Sequence, residues 1–328
     1  MANKDLKVYN YEEVVSQPGD SSDPEIDALL APMRVLKQKE VSFDIDGVTS
    51  AFVSAIRHSM ISQIDVYALN FKSKGYHNGN DPHQDINFVR QNIRQVPILQ
   101  TDDVVDLEFE LRAENTTPET RDVKSGELIQ KRGKKGNYFA SNITIAVLSP
   151  GCRVYIDGIN VISAMGYYKS DHGGLKIGHQ VCHKPIGIEI WNQFEKKGAH
   201  ISVSNPMSHH FYFRTEGQKE PKKIVMNACD KLLKRLNDLR SITKNMRQFR
   251  DYYILEISNE TDAIGNLIVI TSDEVFPMNG GWKYSMDDIN EILKLEMRGE
   301  NVDEMLHSVI HECEEKLKKF KGFFAFRN

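Results

Sequence analysis

The apolar and polar positions near residue 40 predict a strand that leads into a helix. Residues 40–46 alternate between apolar and polar side chains, the two-residue period of a half-buried strand. The apolar residues that come next recur at three- and four-residue spacing, as on the buried face of a helix. This face is formed by Phe52, Val53, Ile56 and Met60. A second short amphipathic helix is predicted over residues 86–93, ending before Pro97.

The middle of the chain changes to short alternating segments. Residues 104–111, 139–147 and 154–161 each alternate, and Gly, Pro, Asn and Asp residues separate them. This pattern predicts a β-rich domain inserted over residues 101–206. The run Lys-Arg-Gly-Lys-Lys at 131–135 falls between two predicted strands, so we expect an exposed loop there.

Beyond the inserted domain, the pattern predicts a strand at 211–213 and a long helix over 222–249. The apolar face of that helix carries Val225, Ala228, Leu232, Leu236, Leu239, Met246 and Phe249. A second strand and helix follow at 253–257 and 264–268, and a later strand at 293–297 precedes a final helix. The apolar face of the final helix carries Val302, Met305, Leu306, Val309, Cys313, Leu317 and Phe320.

Two segments align without a gap when the chain is shifted by 212 residues. Residues 43–56 then lie over residues 255–268, and six pairs agree in chemical type. These pairs are Phe43/Leu255, Asp44/Glu256, Ile45/Ile257, Thr49/Thr261, Ala51/Ala263 and Ile56/Ile268. Each copy has an apolar helix face that it cannot bury alone. We therefore expect the two copies to pack together as a pseudo-two-fold, dimer-like body.

Composition narrows the class of protein. The 328 residues carry a net charge of −4, which argues against a protein that coats nucleic acid. No apolar run approaches about 18 residues, so no membrane span is predicted, and the polar start lacks the apolar stretch of a signal peptide. The four cysteines form no CxxC pair, which excludes a four-cysteine zinc ribbon and fits a reducing, intracellular compartment.

The net charge hides two blocks of opposite sign. Residues 217–250 contain ten basic and three acidic residues, a net charge of +7. Residues 251–328 contain eight basic and sixteen acidic residues, a net charge of −8. The change indicates a boundary near residue 250. Either the two blocks are solvated faces, or they belong to modules that attract each other or bind separate partners.

Candidate metal or catalytic chemistry is sparse. Residue types that bind zinc lie around position 180, but their spacing matches no standard closed site. They are His172, His179, Cys182 and His183. Two-metal catalysis needs carboxylates that converge on ions about 4 Å apart, whereas Asp44 and Asp46 share one face of a predicted strand, which is typical of a solvated surface. We predict no metal, no cofactor and no catalytic residue.

Several motifs resemble the assembly subunits of multisubunit DNA-directed RNA polymerases. Residues 259–268 read Asn-Glu-Thr-Asp-Ala-Ile-Gly-Asn-Leu-Ile and resemble the signature of the eleventh subunit of eukaryotic RNA polymerase II. Residues 54–61, 87–97 and 211–217 resemble motifs of the third subunit, the counterpart of the bacterial alpha subunit. A third-subunit-like unit fused to an eleventh-subunit-like unit is similar to the arrangement in large nucleocytoplasmic DNA viruses.

The resemblance implies an α+β fold in which two alpha-subunit-like dimerisation units form an intramolecular pseudo-dimer. Residues 39–100 with 207–250 would form the first unit, interrupted by the β-rich domain at 101–206. Residues 251–328 would form the second unit, and residues 1–38 a polar tail. Packing between the units would involve Phe52, Ile56, Met60, Leu232, Leu236, Leu239, Ile264, Leu267, Val309 and Leu317.

The resemblance also implies a non-catalytic platform that scaffolds the two large catalytic subunits of a polymerase for transcription. The chief partner would be the second-largest subunit, and the inserted domain would contact small zinc-ribbon-type subunits. Neither sequence-specific nucleic-acid binding nor a membrane is expected. A viral chain would act in the host cytoplasm or nucleus, or in the virion. The interface with the large subunits would include Arg57, His58, Arg90, Gln91 and Asn92.

At part of this interface, the residues of this chain differ from those usual in the family motifs. His58 replaces the second Arg of an Arg-Arg pair, Gln91 and Asn92 replace a His-Arg pair, and Asp262 replaces a His of the eleventh-subunit motif. Two alternatives to the platform remain open. One is a stand-alone metal-dependent enzyme that uses the His and Cys residues near position 180, and the other is a homodimeric scaffold built like the bacterial alpha subunit.

Overall fold

The structure of the chain is a computed structural model. It describes residues 5–15, 22–24, 39–78, 85–96, 98, 104, 106–139, 142–165, 180–185, 207–215, 219–277, 281–287, 290 and 292–325. For residues 164–165 and 180–185 the description covers the backbone alone.

The described strands are β1 (Lys7–Val15), β2 (Lys39–Asp46), β3 (Asp65–Asn70), β4 (Tyr76–Asn78), β5 (Glu108–Glu114), β6 (Arg121–Lys124), β7 (Ile129–Arg132), β8 (Thr144–Leu148), β9 (Arg153–Met165), β10 (Gln180–Pro185), β11 (Ser208–Arg214), β12 (Arg247–Phe249), β13 (Tyr252–Ser258), β14 (Lys283–Asp287) and β15 (Ile292–Met297). The described helices are α1 (Ser50–Ser62), α2 (Ile86–Arg94), α3 (Pro221–Ile242), α4 (Asp262–Val275) and α5 (Val302–Ala325). The predicted α+β class is confirmed.

Two four-stranded antiparallel sheets share one strand order. The order is β1-β2-β11-β10 in the first sheet and β12-β13-β15-β14 in the second. In both sheets the second strand leads into a short helix, α1 after β2 and α4 after β13. In both, the third strand leads into a long helix, α3 after β11 and α5 after β15. Each half of the chain therefore contains the same sheet and the same two helices.

The 212-residue repeat extends to the backbone conformation. Thr49 directly precedes α1 and Thr261 directly precedes α4, both with extended backbone. Two residues earlier, Gly47 and Asn259 have φ values of 80° and 57°. Gly and Asn tolerate this left-handed conformation better than most residues, because larger side chains clash with the backbone. The two strand-to-helix turns therefore have similar backbone conformations.

One hydrophobic core joins the helices of both sheets. α1 packs against α3 and α4, and α5 also packs against α3 and α4. The ring of Phe320 in α5 lies 5.9 Å from that of Phe43 and 6.1 Å from that of Phe52, measured between centroids. All ten residues assigned to packing between the units lie buried in this one core. The helices of the two halves thus share a common interior.

A second core surrounds the third sheet. The strand order there is β3-β9-β5-β7, with β4 also paired to β9, and β6 pairs with β8. Helix α2 contributes Val89 and Ile93 to this core. All six residues of β3 pair with residues 160–165 of the 13-residue strand β9, which draws residues 65–70 into the third sheet. Strand β10, in contrast, joins the first sheet. Among the described residues, the inserted body therefore includes residues before 101 and leaves out residues 180–185, unlike the predicted 101–206.

The long helix is shorter than predicted. α3 ends at Ile242, and Thr243–Asn245 tighten into a 3₁₀ turn. The next residues form β12, which pairs with β13 as a hairpin, so Phe249 is 55% exposed and does not line the helix face. Met246 packs on the core from the connecting segment instead. The second sheet thus begins at 247, just before the charge boundary.

Two other segments also differ from the prediction. Residues 7–15, in the predicted polar tail, form β1, because Val8 and Tyr11 pack on the main core while the strand pairs with β2. Lys131 and Arg132 belong to β7, so only the remainder of the basic run at 131–135 lies in a turn.

Gly265 lies where α4 passes close to the second sheet. An added Cβ would lie 2.7 Å from Cδ1 of Leu293 and 2.8 Å from the ring of Tyr284. We expect Gly265→Ala to lower the free energy of unfolding by about 1–3 kcal/mol through overpacking. This loss should outweigh the gain of about 1 kcal/mol that Ala brings to a helix interior. Urea unfolding of the two proteins measures the difference.

Gly322 in α5 provides the matched control. An added Cβ there meets no atom within 4 Å, so Gly322→Ala should raise the free energy of unfolding by up to about 1 kcal/mol. If both substitutions stabilise the protein, α4 does not approach the sheet as closely as described.

Candidate functional site

Arg57 and His58 occupy neighbouring, half-buried positions on α1. The charges of Arg235 in α3 and Asp262 in α4 act on the His58 side chain. His58 therefore lies where α1 packs against α3 and α4. Burial lowers the pKa of His58, the positive charges of Arg235 and Arg57 lower it as well, and Asp262 partly opposes them. The neutral imidazole is therefore favoured at this position.

An ion pair between Arg235 and Glu260 links α3 to the turn before α4. Nε of Arg235 donates to Oε2 of Glu260 at 3.0 Å, and Nη2 donates to Oγ1 of Thr261 at 3.1 Å. The two charged side chains are only 17% and 10% exposed. Burial lowers the pKa of Arg235 to about 10, and its Nη1 has no hydrogen-bond partner among the described residues. The two halves are thus bonded to each other beside Arg57 and His58.

A second ion pair also crosses between the two charge blocks. Nη2 of Arg240 in α3 donates to Oε2 of Glu314 in α5 at 3.1 Å. A third contact, between Lys321 of α5 and Asp230 of α3, joins the same helices at 2.5 Å. The Arg235–Glu260 and Arg240–Glu314 pairs each join a base of the basic block to an acid of the acidic block, which supports the interpretation that the two blocks attract each other.

The lowered pKa of His58 predicts a dependence of stability on pH. The unfolded chain takes up a proton as the pH falls through about 6.5, whereas the folded state resists it. Stability should therefore decrease from pH 7 to pH 5. Between pH 7 and pH 5, we expect the melting temperature of the His58→Gln variant to fall less than that of the wild type. An equal loss in both proteins would mean that His58 does not contribute.

The α2 residues assigned to the interface do not share one environment. Gln91 is exposed and Asn92 is half-buried, with its Nδ2 3.4 Å from the carbonyl oxygen of Ile145. Arg90 is only 1% exposed and faces the second core. Its Nη2 donates to Oγ of Ser73 at 2.9 Å. Arg90 is thus an interior residue, unlike the expectation that it contacts a large subunit.

The burial of Arg90 could not be predicted from the sequence, because a charged residue on a short helix is normally assigned to the solvent side. The guanidinium is accommodated by the ring of Phe71, whose centroid lies 5.1 Å away. Arg94, one turn later, is also buried, and its Nε and Nη2 donate to Oδ1 of Asn70 at 3.1 and 2.9 Å. The two arginines therefore fasten α2 to the neighbouring segment 70–73.

Asp44 and Asp46 are engaged by neighbouring strands. Asp44 accepts a hydrogen bond from Nδ2 of Asn10 at 2.7 Å and lies 2.8 Å from Nδ1 of His210. The hydroxyl of Tyr9 donates to Asp46 at 3.1 Å. Both carboxylates therefore help to hold β1 and β11 on β2.

No group of three His, Cys, Asp or Glu side chains that could hold a metal ion occurs in the described part of the chain. Of the four candidate zinc-binding residues, His172 and His179 lie outside the described residues. Cys182 and His183 lie on β10, where the description stops at the backbone.

One feature of the third sheet was not foreseen. The rings of His77 and Tyr155 lie 5.9 Å apart and nearly parallel, and the guanidinium of Arg112 lies 5.2 Å from the centroid of the Tyr155 ring. These residues are cross-strand neighbours on β4, β9 and β5, beside a groove of 470 Å³. Only the pairing register brings positions so distant in the chain together, so no sequence signal could have indicated them.

Among the described helices, none combines the length and the apolar character needed to cross a membrane.

Some known proteins that are similar to this chain come from African swine fever virus. Proteins named DNA-directed RNA polymerase RPB3-11 homolog from African swine fever virus resemble this chain. They belong to isolates Pig/Kenya/KEN-50/1950 and Warthog/Namibia/Wart80/1980 and to strain Badajoz 1971 Vero-adapted. Each is 24% identical over 266 residues, which cover 72% of this chain and 73% of the viral protein.

The family model of the RNA polymerase Rpb3/Rpb11 dimerisation domain matches residues 42–236. The match begins in β2, includes α1 and the second core, and ends within α3. It therefore includes most of β2, α1, most of α3 and the body inserted between them, but not β1. Because it covers more than half of the 328 residues, the chain belongs to the RNA polymerase Rpb3/Rpb11 dimerisation domain family.

Proposed function

We propose that the chain is a non-catalytic assembly subunit of a DNA-directed RNA polymerase. Its two halves form an intramolecular pseudo-dimer, and this platform orders the two large catalytic subunits so that their active site can assemble. The observation that carries the proposal is the common helical core between two sheets of identical strand order. The metal ions and the nucleotide chemistry belong to the large subunits.

The platform surface for the second-largest subunit includes Arg57, His58, Gln91 and Asn92. All four are at least partly accessible. Arg57 and His58 lie next to the Arg235–Glu260 pair, so a partner that binds there contacts residues of both halves. The body around the third sheet contacts small zinc-ribbon-type subunits.

Fusion of the two halves gives the platform a fixed one-to-one stoichiometry. Two separate subunits must first find each other, whereas a tether converts this step into an intramolecular one at high effective concentration. The fused chain is therefore a monomer when isolated, with both halves of the core already supplied. A viral chain of this kind acts in the host cytoplasm or nucleus, or in the virion.

Co-expression tests the proposal. A tagged chain is produced with the two large polymerase subunits from the same source, and the captured complex is analysed by mass spectrometry. We expect both large subunits in the complex, a monomer by light scattering for the chain alone, and no nucleotide incorporation by the pure chain. A chain that captures neither large subunit, or that incorporates nucleotides alone, contradicts the proposal. A stable homodimer favours the alternative of a bacterial-type scaffold.

Arg57→Glu tests the interface directly. Charge reversal at a central contact should reduce the recovered second-largest subunit by about tenfold. Lys223→Glu makes the same charge reversal at an exposed position of α3, 12 residues and about 18 Å along the helix from Arg235, and should leave recovery unchanged. Equal recovery with both variants would remove Arg57 from the interface.

A further inference from the structure

The first sheet and the second sheet each have an outer edge, and these two edges are covered to different extents. In the first sheet, β1 pairs with β2 from Asp46 back to Lys39. In the second sheet, β12 pairs only with residues 252–254 of β13. Residues 255–258 pair with β15 on one side, and no described strand lies on their other side. Among the described residues, the second sheet thus has an open edge of four residues.

The hairpin geometry indicates which backbone groups face this open edge. β12 and β13 are joined by the two-residue loop Arg250–Asp251, and Arg250 has a φ of 56°. In such hairpins the flanking pair, Phe249 and Tyr252, exchanges hydrogen bonds, and every second residue then faces the same neighbour. Glu256 and Ser258 therefore direct their backbone N–H and C=O groups toward the open side.

The chain cannot cover this edge with β12 itself. A longer β12 would have to include Met246 and the residues before it. Those residues, Thr243–Asn245, form the turn that ends α3, and Met246 packs on the core. The direct connection from α3 therefore restricts β12 to three residues. In the first sheet, by contrast, β1 extends over nine residues.

The first sheet shows what kind of segment covers such an edge. Val8 of β1 lies opposite Ile45, which is 1% exposed. The equivalent Ile257, on the open edge, is 7% exposed. Donor side chains of β1 also bind the outward carboxylates of β2, as Asn10 does with Asp44. Under the 212-residue shift, Glu256 takes the place of Asp44 and is exposed.

We propose that an extended segment of a partner polymerase subunit adds to the open edge of β13 as an antiparallel strand. The segment hydrogen-bonds to the backbone of Glu256 and Ser258, as in β-strand addition. It places an apolar residue opposite Ile257 and a hydrogen-bond donor such as Tyr, Asn or Lys opposite Glu256. This inference rests on the proposed assembly role, because the occupant belongs to the polymerase.

Hydrogen exchange of the full chain, alone and in the captured polymerase complex, tests the inference. The amides of Glu256 and Ser258 should exchange rapidly in the isolated chain and about tenfold or more slowly in the complex. If the large subunits are captured but these amides stay equally open, the edge inference is wrong and the proposed function stands. If no large subunit is captured, the result contradicts both the proposed function and this inference.

A second copy of this chain is the competing occupant. Protection of the same two amides in the isolated protein at high concentration, together with a dimer by light scattering, would assign the edge to that copy and overturn the inference.

Two substitutions at one position separate backbone pairing from charge. Glu256→Pro removes the outward N–H but leaves the ladder to β15 intact, as proline is tolerated at a strand edge whose N–H faces away from the sheet. We expect this variant to recover about tenfold less of the subunit that supplies the strand. Glu256→Gln keeps the N–H and should recover nearly the wild-type amount. Equal recovery of every subunit with both variants, given unchanged hydrogen exchange in β15, would overturn the inference.

Discussion

Phe320→Ala is expected to destabilise the protein by about 4 kcal/mol, in the range of buried Phe truncations. Phe320 is fully buried in α5 and contacts rings of the first half, including Phe43 and Phe52. Its loss leaves a cavity between the two halves and should lower the melting temperature by roughly 10 °C. Differential scanning calorimetry measures the shift.

Phe249→Ala is the control for this prediction. The same atoms are removed from a ring that is 55% exposed on β12, so the change in stability should stay within about 0.5 kcal/mol. If Phe320→Ala has an equally small effect, the halves do not share the common core. Because the two large cores of the described residues are separate, Phe320→Ala should shift the unfolding transition of the core shared by both halves more than that of the third-sheet body.

Glu260→Gln is expected to cost about 3 kcal/mol of unfolding free energy. The substitution leaves the buried guanidinium of Arg235 without its carboxylate, and breaking one side of a buried ion pair is strongly unfavourable. Nη1 of Arg235 already has no hydrogen-bond partner among the described residues, so these residues offer little compensation. Urea denaturation of the full chain measures the effect.

The double variant Arg235→Met with Glu260→Gln should recover most of this loss. Replacing a buried pair by residues of similar volume is often close to neutral, because the desolvation of both charges is also removed. The double-mutant cycle therefore gives the coupling between α3 and the turn before α4. Additive losses from the two single variants would mean that Arg235 and Glu260 are not coupled across the halves.

The sequence carried enough information to predict the repeated unit. Strands β2 and β13 and helices α1 and α4 were predicted from spacing, since each has one apolar face on a regular element. The shift of 212 residues also aligned the two turns, where Gly47 and Asn259 adopt the same left-handed backbone. Local geometry of this kind depends on neighbours in the chain, so it is visible in the sequence.

Features that depend on distant pairing could not be predicted in this way. Whether Arg90 faces solvent or a core depends on Phe71 and Ser73, which α2 meets only after folding. The helical spacing of Phe249 was as good as that of Leu239, but pairing with Tyr252 places it in β12. The extent of the inserted body likewise depends on how β9 pairs with β3, which periodicity does not encode.

The shared interior also has a consequence for synthesis of the protein. Phe43 and Phe52 are translated early, whereas Phe320 and Phe324, which pack against Phe43, come about 280 residues later. At a translation rate of roughly 5–20 residues per second, the last aromatic side chains of this core are made on the order of 15–55 s after the first. During that time the nascent chain exposes apolar surface that the finished protein hides. Because the last helix supplies side chains to the core of the first half, that core is complete only after the last helix has been made.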